Sequence, residues 1–302
     1  MKIDKKEREK VEYHLKQVAV IGAGEMGQQI AMLSALGGYK TYLQDINESA
    51  LVRALERLQK QMVHWVEKGK LSHKEKDHAF SRLQITKNLD LAVQEADLVI
   101  EAVVEKLEIK RKVFKELDAI APEHTVFATN SSTIVNSKLA EVTSRADRVL
   151  NMHFFFPPLV MDCIEVVKSE RTSERSVQIA LDFCKKIGLT AVLLEKEIFG
   201  FIANRILLAI SKEALHLYEG GYADFKQIDF IVKKALGHSL GPFEIMDLSG
   251  LDVAYYANME HYHETGDPQN KPAKSIVEKV EQGYLGRKTG KGWYEYERGE
   301  AK

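Results

Sequence analysis

The chain has 302 residues, 45% hydrophobic and 29% charged, with a formal net charge of −1. This is the make-up of an ordinary soluble globular protein long enough for two domains. Its charge balance excludes the excess of Lys and Arg that a nucleic-acid surface needs. Two cysteines, Cys163 and Cys184, lack metal-ligand spacing. Neither a disulfide scaffold nor a metal centre is therefore expected, and no apolar run approaches the roughly 20 residues that cross a bilayer.

The N-terminal "MKIDKKEREKVEYHLK" carries both signs of charge and no apolar core. It reads as a solvated extension, neither a secretory signal nor an acid-poor presequence, and a cytoplasmic location follows as the expectation. From Gln17 to about Thr133, short β-rich runs ("QVAVIG", "KTYLQD", "ADLVIEAV", "HTVFATN") alternate with stretches of helical period. Strands alternating with helices predict right-handed crossovers and a parallel sheet. A long helical insert from about Glu48 to Phe80 places Leu51, Leu55, Leu58, Met62 and Trp65 at helical spacing, a packing stripe. Further runs, "RVLNMHFFF", "DCIEVV" and "LTAVLL", add strands, with a helix from about Ser173 to Lys186 ended by Gly188.

Beyond Phe199 the pattern becomes helical throughout: "FIANRILLAISKEALHLYEGG", "DFKQIDFIVKKAL", "PFEIMDLSGLDVAYYANMEHYHE" and "PAKSIVEKVEQ". The predicted fold is α/β, a Rossmann-type doubly wound, mostly parallel sheet over residues 16–198. A second, all-α domain follows over residues 199–302.

Two segments carry chemistry. In "VAVIGAGEMGQQIAML", Gly22, Gly24 and Gly27 fill the three glycine positions of the dinucleotide fingerprint, with Glu25 and Met26 between them on the same turn. The strand before, the helix after and Asp45 closing the second run about 20 residues on complete the context. Asp45 would bind the adenosine ribose and repel a 2′-phosphate, which predicts NAD; no Arg follows closely to reverse that. The second segment is "NMHFFFPPLVMDCIEVV". Its Pro157–Pro158 bend can fold the second run back beside the first and bring Glu165 to His153. A carboxylate on one ring nitrogen fixes the tautomer and makes the imidazole a general base. A buried core histidine and an edge glutamate remain the plainer alternative.

Taken in order, "VIGAGEMG", "VIEAVVEKLEIK", "ATNSSTI", "MHFFFPPLVMDCIEVV", "GFIANRIL", "GPFEIMDLSGLD" and "GYLGRKTGKGWYEY" resemble the L-3-hydroxyacyl-CoA dehydrogenase family, 3-hydroxybutyryl-CoA dehydrogenases included. The resemblance runs from about Lys16 to Tyr296. It implies NAD-dependent interconversion of L-3-hydroxyacyl-CoA and 3-ketoacyl-CoA, with short chains favoured. It also implies roles: His153 as base, Glu165 as its acidic partner, Ser132 on the substrate oxygen, Asn204 beside the reacting carbon. Glu105, Lys110 and Asn130 would flank the nicotinamide, and Lys68 would meet a coenzyme A phosphate. As plainer alternatives, Ser132 and Asn130 would cap a helix near Ile134, Asn204 would be satisfied in a helix interface, and Glu105 and Lys110 would form a solvated face.

Three positions depart from the family: Phe156 replaces the usual Asn before Pro157, Asp162 adds a carboxylate, and Phe199 replaces a Pro. They leave two other readings open: a dehydrogenase of a free hydroxy acid or carnitine-like alcohol, and a non-catalytic NAD-binding protein. The apolar "EIMDLSGLDVAYYANM" predicts a homodimer through the helical domain.

Overall fold

The computed structural model describes residues 15–296. Most of the charged N-terminal extension lies outside the described residues. The chain divides into two units, residues 1–201 and 202–302.

In the first unit the elements run in this order. They are β1 (Gln17–Ile21), α1 (Glu25–Leu36), β2 (Lys40–Gln44), α2 (Glu48–Glu67), α3 (His73–Arg82), β3 (Leu83–Thr86) and α4 (Leu89–Val93). Then come β4 (Leu98–Glu101), α5 (Leu107–Ile120), β5 (Val126–Thr129), α6 (Ser137–Ala140), β6 (Val149–Phe154), β7 (Cys163–Val167), α7 (Glu174–Lys186) and β8 (Thr190–Leu194). One sheet holds all eight strands in the order β3-β2-β1-β4-β5-β6-β7-β8. Every pair is parallel except β6 with β7. This is the doubly wound architecture, with the order reversing between β1 and β4.

Helices on both faces explain the unbroken apolar runs. Alternate residues of one strand serve opposite cores: Val18 and Val20 pack with Ile30, Leu58 and Met62, whereas Ala19 and Ile21 pack with Phe114 and Leu117. A strand buried on both sides has no polar face to betray its period.

Two predicted elements divide. The insert is two helices: α2, started by the Asn47 side chain, stops at Lys68 and Gly69, and α3 restarts on a Ser72–Glu75 capping box. Gly69 at φ +68° provides the left-handed step that ends α2. The four-residue strand β3 was not expected, since it follows α3 without a turn residue.

The second unit consists of α8 (Ala203–Glu219), α9 (Phe225–Ala235), α10 (Pro242–Ser249), α11 (Leu251–Thr265) and α12 (Lys274–Glu281). The segment read as one helix from Pro242 breaks at Gly250, whose φ is +99°. Trp293 stacks edge-on to Phe243 at 4.5 Å and to Tyr218 at 4.9 Å, the centre of this unit's core. Buried Asp247 accepts from the Trp293 and Tyr294 amides and the Tyr296 hydroxyl, and so ties the C-terminal strip to α10. Among the described residues no helix is long and apolar enough to cross a membrane.

Candidate active site

β1 ends at Ile21 and the chain turns at Gly22 with φ +107°. A Cβ on Gly22 would come within 2.6 Å of the Ala102 carbonyl oxygen, and one on Gly27 within 1.8 Å of the Gly22 oxygen. Gly24 differs: a Cβ there would meet nothing within 4 Å. The first and third glycines thus permit the backbone packing, while the second leaves the opening of α1 uncovered for a phosphate. A cavity of about 870 Å³ lies here, lined by Gly22, Gly24, Glu25, Met26 and Asp45 among others. Asp45 is held by the Ala23 and Asn47 amides, each at 2.8 Å. These residues fit a dinucleotide: an open helix N-terminus for the pyrophosphate and a fixed carboxylate for a ribose.

The same cavity is lined by Arg53, Arg57 and Lys87. No Arg follows Asp45 closely in sequence, yet two from α2 reach the cavity that Asp45 lines. Arg53 and Arg57 are four residues apart on one face of α2, and that exposed face borders the cavity.

His153 and Glu165 are direct register partners across the antiparallel β6–β7 pair. Nδ1 of His153 lies 2.7 Å from Oε2 of Glu165, and the two residues are 6% and 3% exposed. A carboxylate offers only acceptors, so Nδ1 carries the proton and Nε2 of the neutral ring keeps its lone pair. Phe155 and Phe201 pack on the imidazole with ring centroids at 4.9 and 5.5 Å. Phe201 is 1% exposed and holds φ +50°, unusual for a bulky residue. The result is a dry, oriented imidazole near the C-terminal end of β6.

A second charged cluster lies between β4 and β5. Lys110 is 1% exposed and Glu101 is fully buried, with Nζ 2.7 Å from Glu101 and 3.1 Å from Glu105. Glu101 also accepts from the Val103 amide and the Thr129 hydroxyl, both at 2.7 Å. Glu105 accepts from the Ser131 hydroxyl, and from the Thr133 hydroxyl at 3.0 Å. Burial opposes ionisation of Glu105, but the Lys110 ammonium and these hydrogen bonds outweigh it and hold the carboxyl below its usual range. Lys110 is therefore no solvated helix residue. Glu101 escaped the sequence reading; its one signal is an acid closing an otherwise apolar strand.

Ser132 sits half-buried on the turn these bonds fix, and its hydroxyl has no partner among the described residues. Ser131, its neighbour, does the capping, accepting from the Ile134 amide at 2.7 Å. Fully buried Asn151, two residues before His153, pins the same turn: it accepts from the Asn136 amide and donates to the Ile134 carbonyl. Asn130 accepts from the Phe154 amide at 3.0 Å, joining the ends of β5 and β6. Asn204 lies in the first turn of α8, in the second unit. Lys68 caps α2, exposed and outside the cavity lining. Of the departures, Phe156 is 62% exposed, Asp162 is exposed and Phe199 half-buried.

The NAD-binding domain of 3-hydroxyacyl-CoA dehydrogenase matches residues 17–198, and that family's C-terminal domain matches 200–296. A probable 3-hydroxybutyryl-CoA dehydrogenase from Bacillus subtilis is 37% identical over 284 residues, covering 94% of this chain and 98% of the relative. The human mitochondrial hydroxyacyl-coenzyme A dehydrogenase is 36% identical, covering 93% and 91%. The crystal structure of (S)-3-hydroxybutyryl-CoA dehydrogenase from Ralstonia eutropha superposes with a TM-score of 0.90 at 34% identity, covering 94% of this chain and all of that one.

Proposed function

This chain belongs to the 3-hydroxyacyl-CoA dehydrogenase family, and on that footing we propose that His153, oriented by Glu165, is the base through which it works. The protein is an NAD-dependent enzyme that interconverts 3-hydroxyacyl-CoA and 3-ketoacyl-CoA. NAD, when bound, supplies the acceptor for hydride from the substrate carbon.

The protein's own groups handle the proton and the charge. Nε2 of His153 takes the proton of the substrate 3-hydroxyl, while Glu165 keeps Nδ1 protonated and stabilises the positive ring as it forms. The Ser132 hydroxyl donates to the substrate oxygen as charge gathers there, and the Asn204 amide orients the reacting carbon. Glu105, Lys110 and Asn130 serve the nicotinamide end of the cofactor site. Lys68 is the cation for a coenzyme A phosphate. The observation that carries this reading is the register pairing of two buried side chains at 2.7 Å, a geometry that leaves one ring nitrogen ready to accept a proton.

A short acyl chain is the proposed substrate, supported by relatives named for 3-hydroxybutyryl-CoA. A homodimer through the second unit is supported by exposed Leu248, Val253 and Tyr256 along α10 and α11. A cytoplasmic setting is supported by two unpaired cysteines, although several relatives are mitochondrial enzymes.

The test is oxidation of NADH with acetoacetyl-CoA, with longer 3-ketoacyl-CoA esters and with free keto acids. Turnover is expected with thioesters and fastest with the four-carbon one. Turnover confined to free acids refutes the substrate assignment. His153→Gln should abolish turnover and leave NADH affinity intact; an active variant removes His153 from the mechanism. A monomer in sedimentation at micromolar concentration refutes the dimer, and cell fractionation decides the compartment.

A further inference from the structure

α1 opens with an acid, Glu25, at the one helix end that has to receive two phosphates. A carboxylate in the first turn competes with an anionic ligand for the same positive helix end. The fold answers with a cation from another helix. The Arg57 guanidinium crosses from α2 to the Glu25 carboxylate. Both residues are more than half exposed and line the cavity that holds Gly22, Ala23 and Gly24.

The other two cations of this lining are occupied locally. Lys87 pairs with Glu48 at 3.6 Å, and Arg53 donates to the Ser49 hydroxyl at 2.9 Å. It is Arg57 that spans the two helices bordering the phosphate turn. Ala50 and Ala54 on the same face of α2 are small and leave the guanidinium room to move within the cavity. An exposed ion pair contributes little to stability, so its position over the cofactor cavity is the informative fact.

We infer that Arg57 is a phosphate-binding residue of the cofactor site and that Glu25 is its internal competitor. Glu25 holds the guanidinium over the glycine turn in the free enzyme and yields it to the pyrophosphate when NAD or NADH enters. Arg57 carries a delocalised fork of donors, suited to a carboxylate and a phosphate in turn. Glu25 thereby lowers cofactor affinity and Arg57 raises it. The inference rests on the reading of the glycine turn as the seat of the pyrophosphate.

The experiment titrates wild type, Arg57→Gln, Glu25→Gln and the double variant with NADH, read by nicotinamide fluorescence. ADP and adenosine serve as competitors. Arg57→Gln should weaken NADH and ADP about tenfold, the scale of one charge-assisted hydrogen bond, and leave adenosine unchanged. Glu25→Gln should tighten NADH by a few-fold, because the guanidinium no longer has to be shared. The double variant should bind more tightly than Arg57→Gln alone, since the carboxylate it removes is then unneutralised. The pair is exposed, so all three variants should fold, as circular dichroism will show. If Arg57→Gln binds NADH like wild type, or loses ADP and adenosine equally, the inference is overturned. Weaker binding by Glu25→Gln overturns it as well. If wild type itself binds no NADH, the cofactor assignment fails instead, and the two failures are distinguishable.

Discussion

Replacing Glu165 by Gln removes the charge from the His153 partner while keeping its shape and an acceptor oxygen. The tautomer survives, since the amide oxygen still accepts from Nδ1–H at the 2.7 Å position. What disappears is the attraction between a carboxylate and the imidazolium formed as the substrate proton arrives. With charge centres about 4 Å apart and an effective dielectric near 20, that attraction is about 4 kcal/mol. A proton half-transferred at the transition state recruits about half of it, ~2 kcal/mol. The expected fall in kcat lies between about 30-fold for half transfer and about 1000-fold for complete transfer. NADH affinity should be unchanged, because neither His153 nor Glu165 lines the dinucleotide cavity. The assay is steady-state NADH oxidation with acetoacetyl-CoA, alongside fluorescence titration of NADH. A kcat within about threefold of wild type would refute the electrostatic role of Glu165.

Lys110→Met leaves fully buried Glu101 without its cation. That should cost about 3–5 kcal/mol, or about 6–20 °C of melting temperature; adding Glu101→Gln should recover part of the loss, and a melt within 2 °C of wild type for the single variant would contradict the pairing. Gly27→Ala forces a methyl group into the Gly22 carbonyl oxygen, so the turn has to shift; NADH binding should weaken by up to about a hundredfold, and normal affinity would show that the turn has slack. Glu105 is held below its ordinary value of 4.5, so its contribution to stability is present above that pH and is lost as pH falls through its lowered value. Glu105→Gln should therefore flatten the loss of melting temperature as pH falls below 4.5, and an unchanged slope would rule this carboxylate out as a source of acid sensitivity.

Much of the site can be read in one dimension because it is built from short-range chemistry. Gly22, Gly24 and Gly27 announce themselves by a spacing that only a strand–turn–helix unit requires. His153 and Glu165 lie twelve residues apart around a two-proline bend, and a hairpin brings such neighbours together with little choice of register. Glu101 and Arg57 are different. One is a lone acid at the end of an apolar strand, the other a helical arginine among many charges. What distinguishes them is a partner from a separate element: Lys110 nine residues on for Glu101, and Glu25 on another helix for Arg57.

Composition, periodicity and glycine spacing, all local properties, thus determined the alternating α/β plan and the all-helical second unit, while the two-proline bend allowed but did not decide the pairing of His153 with Glu165. Helix breaks at Gly69 and Gly250, the edge strand β3, the Asn151 clasp on the Ser132 turn and the arginine-lined side of the cofactor cavity came only with tertiary structure. Each depends on which faces are turned inward when distant segments pack. That choice is made by burial summed over the whole unit, and no stretch of a few residues encodes it.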